Sequence, residues 1–125
     1  MTGEADLAGL RVLVVEDDMM VCLLIEDMLA DLGCLVVGPA GRLDEAFVLA
    51  EMGNFDCALL DMNLNGQSIF PVADVLRERN CPFAFATGYG DSRLREVDKG
   101  ALVLQKPFRN GDLARVLGEL RNRAG

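Results

Sequence analysis

The chain contains no histidine and no tryptophan, one tyrosine, and only two lysines, Lys99 and Lys106. Without histidine there is no Ser/His/Asp or Cys/His catalysis, and most catalytic zinc sites are excluded as well. Any metal should therefore be a hard ion held by oxygen. No segment approaches the roughly 18–20 apolar residues of a bilayer span. The start, Met1 to Gly9, carries Glu4 and Asp6 in place of the basic and apolar stretches of a secretion signal. Positive charge is scarce too: 12 basic residues against 20 acidic ones leave a formal charge of −8. Such a surface repels nucleic-acid phosphates and anionic lipid. The expectation is a cytoplasmic protein that binds neither nucleic acid nor membrane. Cys22, Cys34, Cys57 and Cys81 form no Cys-x-x-Cys and lie in apolar segments, so they read as buried, reduced thiols.

What is present suits a single globular domain, since 51% of 125 residues are hydrophobic and 26% charged. Leu10–Val15 is a short β-branched run of the kind buried on both faces of a sheet. Val21, Leu24, Ile25, Met28, Leu29 and Leu32 then follow a helical period, with Gly33 placed for a C-cap. Cys34–Val37 reads as a second strand stopped by Gly38 and Pro39, and Leu43–Ala50 as a second helix closed near Gly53. Cys57–Leu60, Pro82–Ala86 and Ala101–Leu104 are further strands. Helices are expected around Ile69–Leu76, with Pro71 in the first turn, weakly at Asp91–Val97, and from an Asn110 cap through Leu120. Buried strands alternating with helices imply a parallel, doubly wound α/β sheet of five strands, flavodoxin-like in its order 2-1-3-4-5, with helices on both faces. The methionines read as packing.

In such a sheet the site lies at the carboxyl ends of the strands. The first strand ends in Glu16 and Asp17, the third in Asp61, the fourth in Thr87, and the fifth runs into Lys106 and Pro107. Three carboxylates converging on one crevice repel one another, and the agents available to offset them are a divalent cation and the Lys106 ammonium. Mg²⁺ (or Mn²⁺) fits, because it takes one or two carboxylates and completes its shell with water and phosphate oxygen. That combination points to phosphoryl transfer onto a carboxylate, with Asp61 the candidate nucleophile. Glu16 and Asp17 would hold the ion, Thr87 would hydrogen-bond the phosphoryl group, and Gly88 leaves the approach open.

The Glu16-Asp17-Asp18 run, Ala58-Leu-Leu-Asp61, Thr87 and Gln105-Lys-Pro-Phe108 together resemble the receiver domain of two-component response regulators (CheY-like) over about Leu10–Leu120. The resemblance implies Mg²⁺-dependent acceptance of a phosphoryl group by Asp61 from a phosphohistidine on a sensor histidine kinase or a histidine phosphotransfer protein. It also implies a metal contact from the Asn63 backbone carbonyl, a cis Lys106–Pro107 peptide, and self-catalysed hydrolysis as the only further chemistry, so the protein is not otherwise an enzyme. Phe85-Ala-Thr-Gly88 is similar to a subgroup of stand-alone receivers. The expected organisation is an N-terminal tail (1–9) and a receiver domain (10–122) with no output domain, signalling to a downstream target protein through a changed surface.

This chain departs from the common receiver pattern in three places. The Asp61–Thr87 stretch is a few residues short, and Asn65 stands where a proline is common. Val103 replaces the aromatic that swings with the threonine, leaving Tyr89 as the candidate substitute. An interaction module that is never phosphorylated is thus an alternative, and a flavin-binding flavodoxin-like protein a weaker one. Asp61-x-Asn63-x-Asn65-Gly66 also opens like a calcium loop, but its twelfth position is Val72 and a strand precedes it.

Overall fold

The computed structural model describes residues 6–88 and 94–124. Five parallel strands form one sheet: β1 (Arg11–Val15), β2 (Leu35–Ala40), β3 (Cys57–Asp61), β6 (Phe83–Thr87) and β7 (Leu102–Gln105), in the order β2-β1-β3-β6-β7. That is the doubly wound order expected. A small antiparallel hairpin, β4 (Asn63–Leu64) and β5 (Gln67–Ser68), is additional to it. Four helices complete the described residues: α1 (Met19–Asp31), α2 (Leu43–Met52), α3 (Phe70–Glu78) and α4 (Asn110–Ala124).

Because side chains alternate across a strand, β1 feeds two cores. Val12 and Val14 join Ile25 and Leu29 of α1 and Leu113, Leu117 and Leu120 of α4. Leu13 and Val15 join Ala46 and Ala50 of α2 and Val72, Ala73 and Leu76 of α3. The sheet is therefore covered on both faces. Leu7, ahead of β1, is buried in the first core, so residues just outside the expected domain start also pack on it.

Several local expectations are corrected. β2 is not stopped by Gly38 and Pro39: a register shift between Leu13 and Val15, with Gly38 at φ 96° and a cis Gly38–Pro39 peptide, carries the strand on to Ala40. An edge strand tolerates this, since Pro39 needs no ladder bond on its outer side. Of the segment expected as a weak fourth helix at Asp91–Val97, residues 91–93 lie outside the described set, and the described remainder runs into a 3₁₀ turn at Glu96–Asp98. Asn110 is the first helical residue of α4 and not its cap. Leu113 N–H donates to the Arg109 carbonyl, and Asp112 Oδ2 accepts from Arg109 N–H at 3.0 Å, so the cap is Arg109. On α1, Leu24 points outward, and Met19 and Met20 are 75% and 68% exposed, against the packing role expected of the methionines. Cys34 and Cys57 are buried; Cys22 and Cys81 are only half-buried, and all four are free thiols.

Other signals hold. Gly33, at φ 83°, closes α1 with bonds from Gly33 N–H to Ala30 and from Cys34 N–H to Leu29, the paired geometry of a Schellman ending. Pro71 occupies the first turn of α3.

Candidate functional site

The register Val15↔Leu60 between β1 and β3 brings the next residues of the two strands, Glu16 and Asp61, side by side. Glu16 N–H is tied to the Ala40 carbonyl at 2.9 Å, which fixes where the chain leaves β1. Asp18 then starts α1, its carboxylate accepting from Met20 N–H and Val21 N–H as an N-cap. Asp17, held between these anchors, faces the same crevice: one carboxylate oxygen from each of Glu16, Asp17 and Asp61 lies within 4.8 Å of the other two.

Lys106 reaches this cluster from the end of β7. Its backbone N–H donates to the Thr87 carbonyl at 2.7 Å, and the Lys106–Pro107 peptide that follows is cis, as the family resemblance implied. Its ammonium donates to Glu16 Oε1 at 2.7 Å and stands 3.6 Å from Asp61 Oδ2. Glu16 Oε2 accepts from Asp18 N–H at 3.1 Å, so the buried Glu16 carboxylate is engaged at both oxygens.

One ammonium does not balance three carboxylates. Burial first, and the Glu16 charge second, push the Asp61 carboxyl up to about 7, although Lys106 and the Asn63 N–H pull it down. Burial alone would lower Lys106, but the Glu16 hydrogen bond and the Asp61 charge raise it above its ordinary value. The cluster thus carries surplus negative charge around oxygen-only donors, the donor set that a hard divalent cation prefers.

A hairpin that sequence reading missed closes the far side. Asn65 N–H donates to Asp17 Oδ2 at 2.8 Å, and Asn65 Nδ2 reaches the Gly41 carbonyl at 3.4 Å. Asn63 lies in β4 with its N–H on Asp61 Oδ1 at 3.3 Å. The Asn65-Gly66 pair, the commonest two-residue turn signal, was the clue available in the sequence. Thr87 is buried at the end of β6, one residue beyond the Asp61↔Ala86 pairing. A Cβ at Gly88 would meet nothing within 4 Å among the described residues. Val103 is exposed, and Tyr89 lies outside the described residues.

A five-stranded 2-1-3-6-7 sheet carrying an acidic crevice, a threonine and a lysine at adjacent strand ends is the architecture of a flavodoxin-like receiver fold. The sequence matches the response regulator receiver domain over residues 12–117, and the chain belongs to that family. The transcriptional regulatory protein PdtaR of Mycobacterium tuberculosis is 32% identical over 117 residues, covering 90% of this chain but only 57% of PdtaR. The solution structure of SdrG from Sphingomonas melonis Fr1 superposes with a TM-score of 0.80 at 36% identity, over 90% of this chain and 96% of SdrG. The receiver domain of the sensor histidine kinase PA1611 from Pseudomonas aeruginosa PAO1 gives 0.80 at 28% identity, over 92% of this chain and 99% of that one. That crystal structure has a magnesium ion coordinated in its active-site cleft.

Proposed function

We propose that this receiver domain is phosphorylated on Asp61 by a phosphohistidine of a sensor kinase or phosphotransfer protein, and that it signals by altering a protein-binding surface. The observation that carries the reading is Asp61 itself, set between the Glu16 and Asp17 carboxylates and the Lys106 ammonium 3.6 Å away. Glu16, Asp17, Asp61 and the Asn63 backbone carbonyl would hold Mg²⁺, which when bound supplies positive charge against the phosphoryl oxygens. The excess of carboxylates over ammonium fits such an ion.

The chain's own groups account for the remaining chemistry. The P–N bond to the donor imidazole breaks as a P–O bond to an Asp61 carboxylate oxygen forms, giving an acyl phosphate. Lys106, kept protonated by Glu16, is placed to pair with the phosphoryl oxygens entering beside Asp61. Thr87 offers its hydroxyl at the neighbouring strand end. Water later cleaves the acyl phosphate, so no separate substrate is turned over and the domain is not otherwise an enzyme. A protein donor suits the surroundings: Met19, Met20, Leu23 and Leu24 of α1 form an exposed apolar strip beginning directly after the acidic loop. Phe85-Ala-Thr-Gly88 supports membership of the stand-alone receiver subgroup.

Incubation with acetyl phosphate and Mg²⁺ tests the reading by intact mass. One added phosphoryl group on the native chain, lost in Asp61→Asn, is the expected result. A native chain that stays unmodified while still binding its partner would instead favour an interaction module, the role to which the ring-free, exposed Val103 lends itself.

A further inference from the structure

The β4–β5 hairpin does more than connect β3 to α3. Its turn residues, Asn65 at φ 53° and Gly66 at φ 82°, both lie in the left-handed region, the combination that defines a two-residue type I′ turn. Asparagine and glycine reach it at least cost. Leu64 anchors the hairpin in the second core, and Asn63 Oδ1 accepts from Gly66 N–H at 2.8 Å, closing the turn on itself. The Asn65 N–H is spent outside the hairpin, on Asp17 Oδ2 at 2.8 Å, while its side-chain amide reaches Gly41 at the end of β2. Three separate loops are thereby tied at one residue.

We propose that Asn65 is a positioning residue: its backbone N–H fixes the Asp17 carboxylate in the orientation that receives a divalent cation. The inference rests on reading the acidic crevice as a cation site. A carboxylate has about four lone-pair sites on two oxygens, so one bond to Oδ2 leaves the other oxygen free as a ligand. Without that bond, repulsion from Glu16 and Asp61 would turn the half-buried Asp17 toward water. A proline at this position could not substitute, having no N–H and no access to positive φ.

Mg²⁺ titration by calorimetry of the native chain, Asn65→Pro and Asn65→Gly, each checked for folding by thermal melting, decides the matter. Loss of such an outer hydrogen bond costs about 10- to 100-fold in metal affinity. Asn65→Pro is expected to weaken Mg²⁺ binding by at least about 10-fold. Asn65→Gly, which keeps both the N–H and the positive φ, should stay within about 3-fold. In ¹⁵N–¹H spectra the native Asn65 amide should shift on adding Mg²⁺, and should move upfield in metal-free Asp17→Asn. If Asn65→Pro fails to fold, Gly66→Val, strained at φ 82°, replaces it and should weaken binding several-fold. A folded Asn65→Pro that binds like the native chain overturns the proposal, as does an Asn65→Gly as weak as the proline variant. A native chain that binds no Mg²⁺ removes the cation site and this inference together.

Discussion

Glu16 and Asp98 are both buried acids, 2% and 0% exposed, yet their surroundings differ in kind. Asp98 is matched. Its oxygens take Arg77 and, at 2.6 Å, Arg95 Nε, while Arg95 also holds Asp74 at 2.8 Å. Two guanidinium groups meet two carboxylates, and the guanidinium planes are backed by aromatic rings, Arg95 4.4 Å from the Phe70 centroid and Arg77 5.4 Å from that of Phe83. Glu16 shares its one ammonium with Asp61 and sits beside Asp17. A neutral cluster fastens the segment before β7 onto α3, whereas a cluster with surplus charge stores repulsion that a ligand can relieve. Polar burial alone does not mark a functional site; imbalance does.

The comparison is broken most severely by unbalancing the neutral cluster. Asp98→Ala leaves Arg77 and Arg95 sharing the one exposed carboxylate of Asp74, with the buried counter-charge gone, and should destabilise the fold by about 3 kcal/mol in urea denaturation. The surplus cluster should respond in the opposite direction. Asp61 titrates near 7 in the folded protein against an ordinary 3.8, so its contribution to stability is complete below about pH 4 and is lost as pH rises through 7. Asp61→Asn should therefore gain on the order of 2 kcal/mol at pH 8 in EDTA and almost nothing at pH 4. A flat difference between those pH values would contradict the charge assignment. Arg95 holds the Asp74 carboxyl below the usual carboxylate range, so that stabilisation has the reverse sign, present above that range and lost on acidification.

A cation should do reversibly what Asp61→Asn does permanently. At Mg²⁺ ten times its dissociation constant, the native protein should gain about 1.4 kcal/mol, seen as a higher melting temperature, and Asp17→Asn should gain far less. The smallest effect belongs to an exposed pair. Arg11 and Asp56 meet at 3.1 Å near the start of β1, and Arg11→Ala should lower the melting temperature least of these changes, with the difference shrinking further in high salt.

How much of this was legible beforehand differs between the two clusters. Glu16, Asp61, Thr87 and Lys106 each end a strand or follow one directly, with Asp17 one residue further on, and strand ends are visible as hydrophobic runs that stop at a polar residue. Once a parallel order is assumed, their convergence follows. Asp98 has one local partner, Arg95 three positions back, but Arg77, which completes its charge balance, lies 21 positions back in α3, and the weak helical pattern just before Asp98 says nothing of that pairing. The hairpin was visible in principle. Its Asn65-Gly66 pair encodes the turn, but the same residues also complete the opening of a calcium-loop pattern, which masks the hairpin signal.

The sequence by itself determined the alternation of buried strands and helices, and with it the edge on which the acids and the lysine would gather, because burial leaves a periodic trace in the chain. Tertiary structure alone decided which acid is matched and which is not, and that Asn65 turns its N–H toward Asp17. Charge balance at a point depends on distances between residues far apart in sequence, and such distances exist only after the chain has closed on itself.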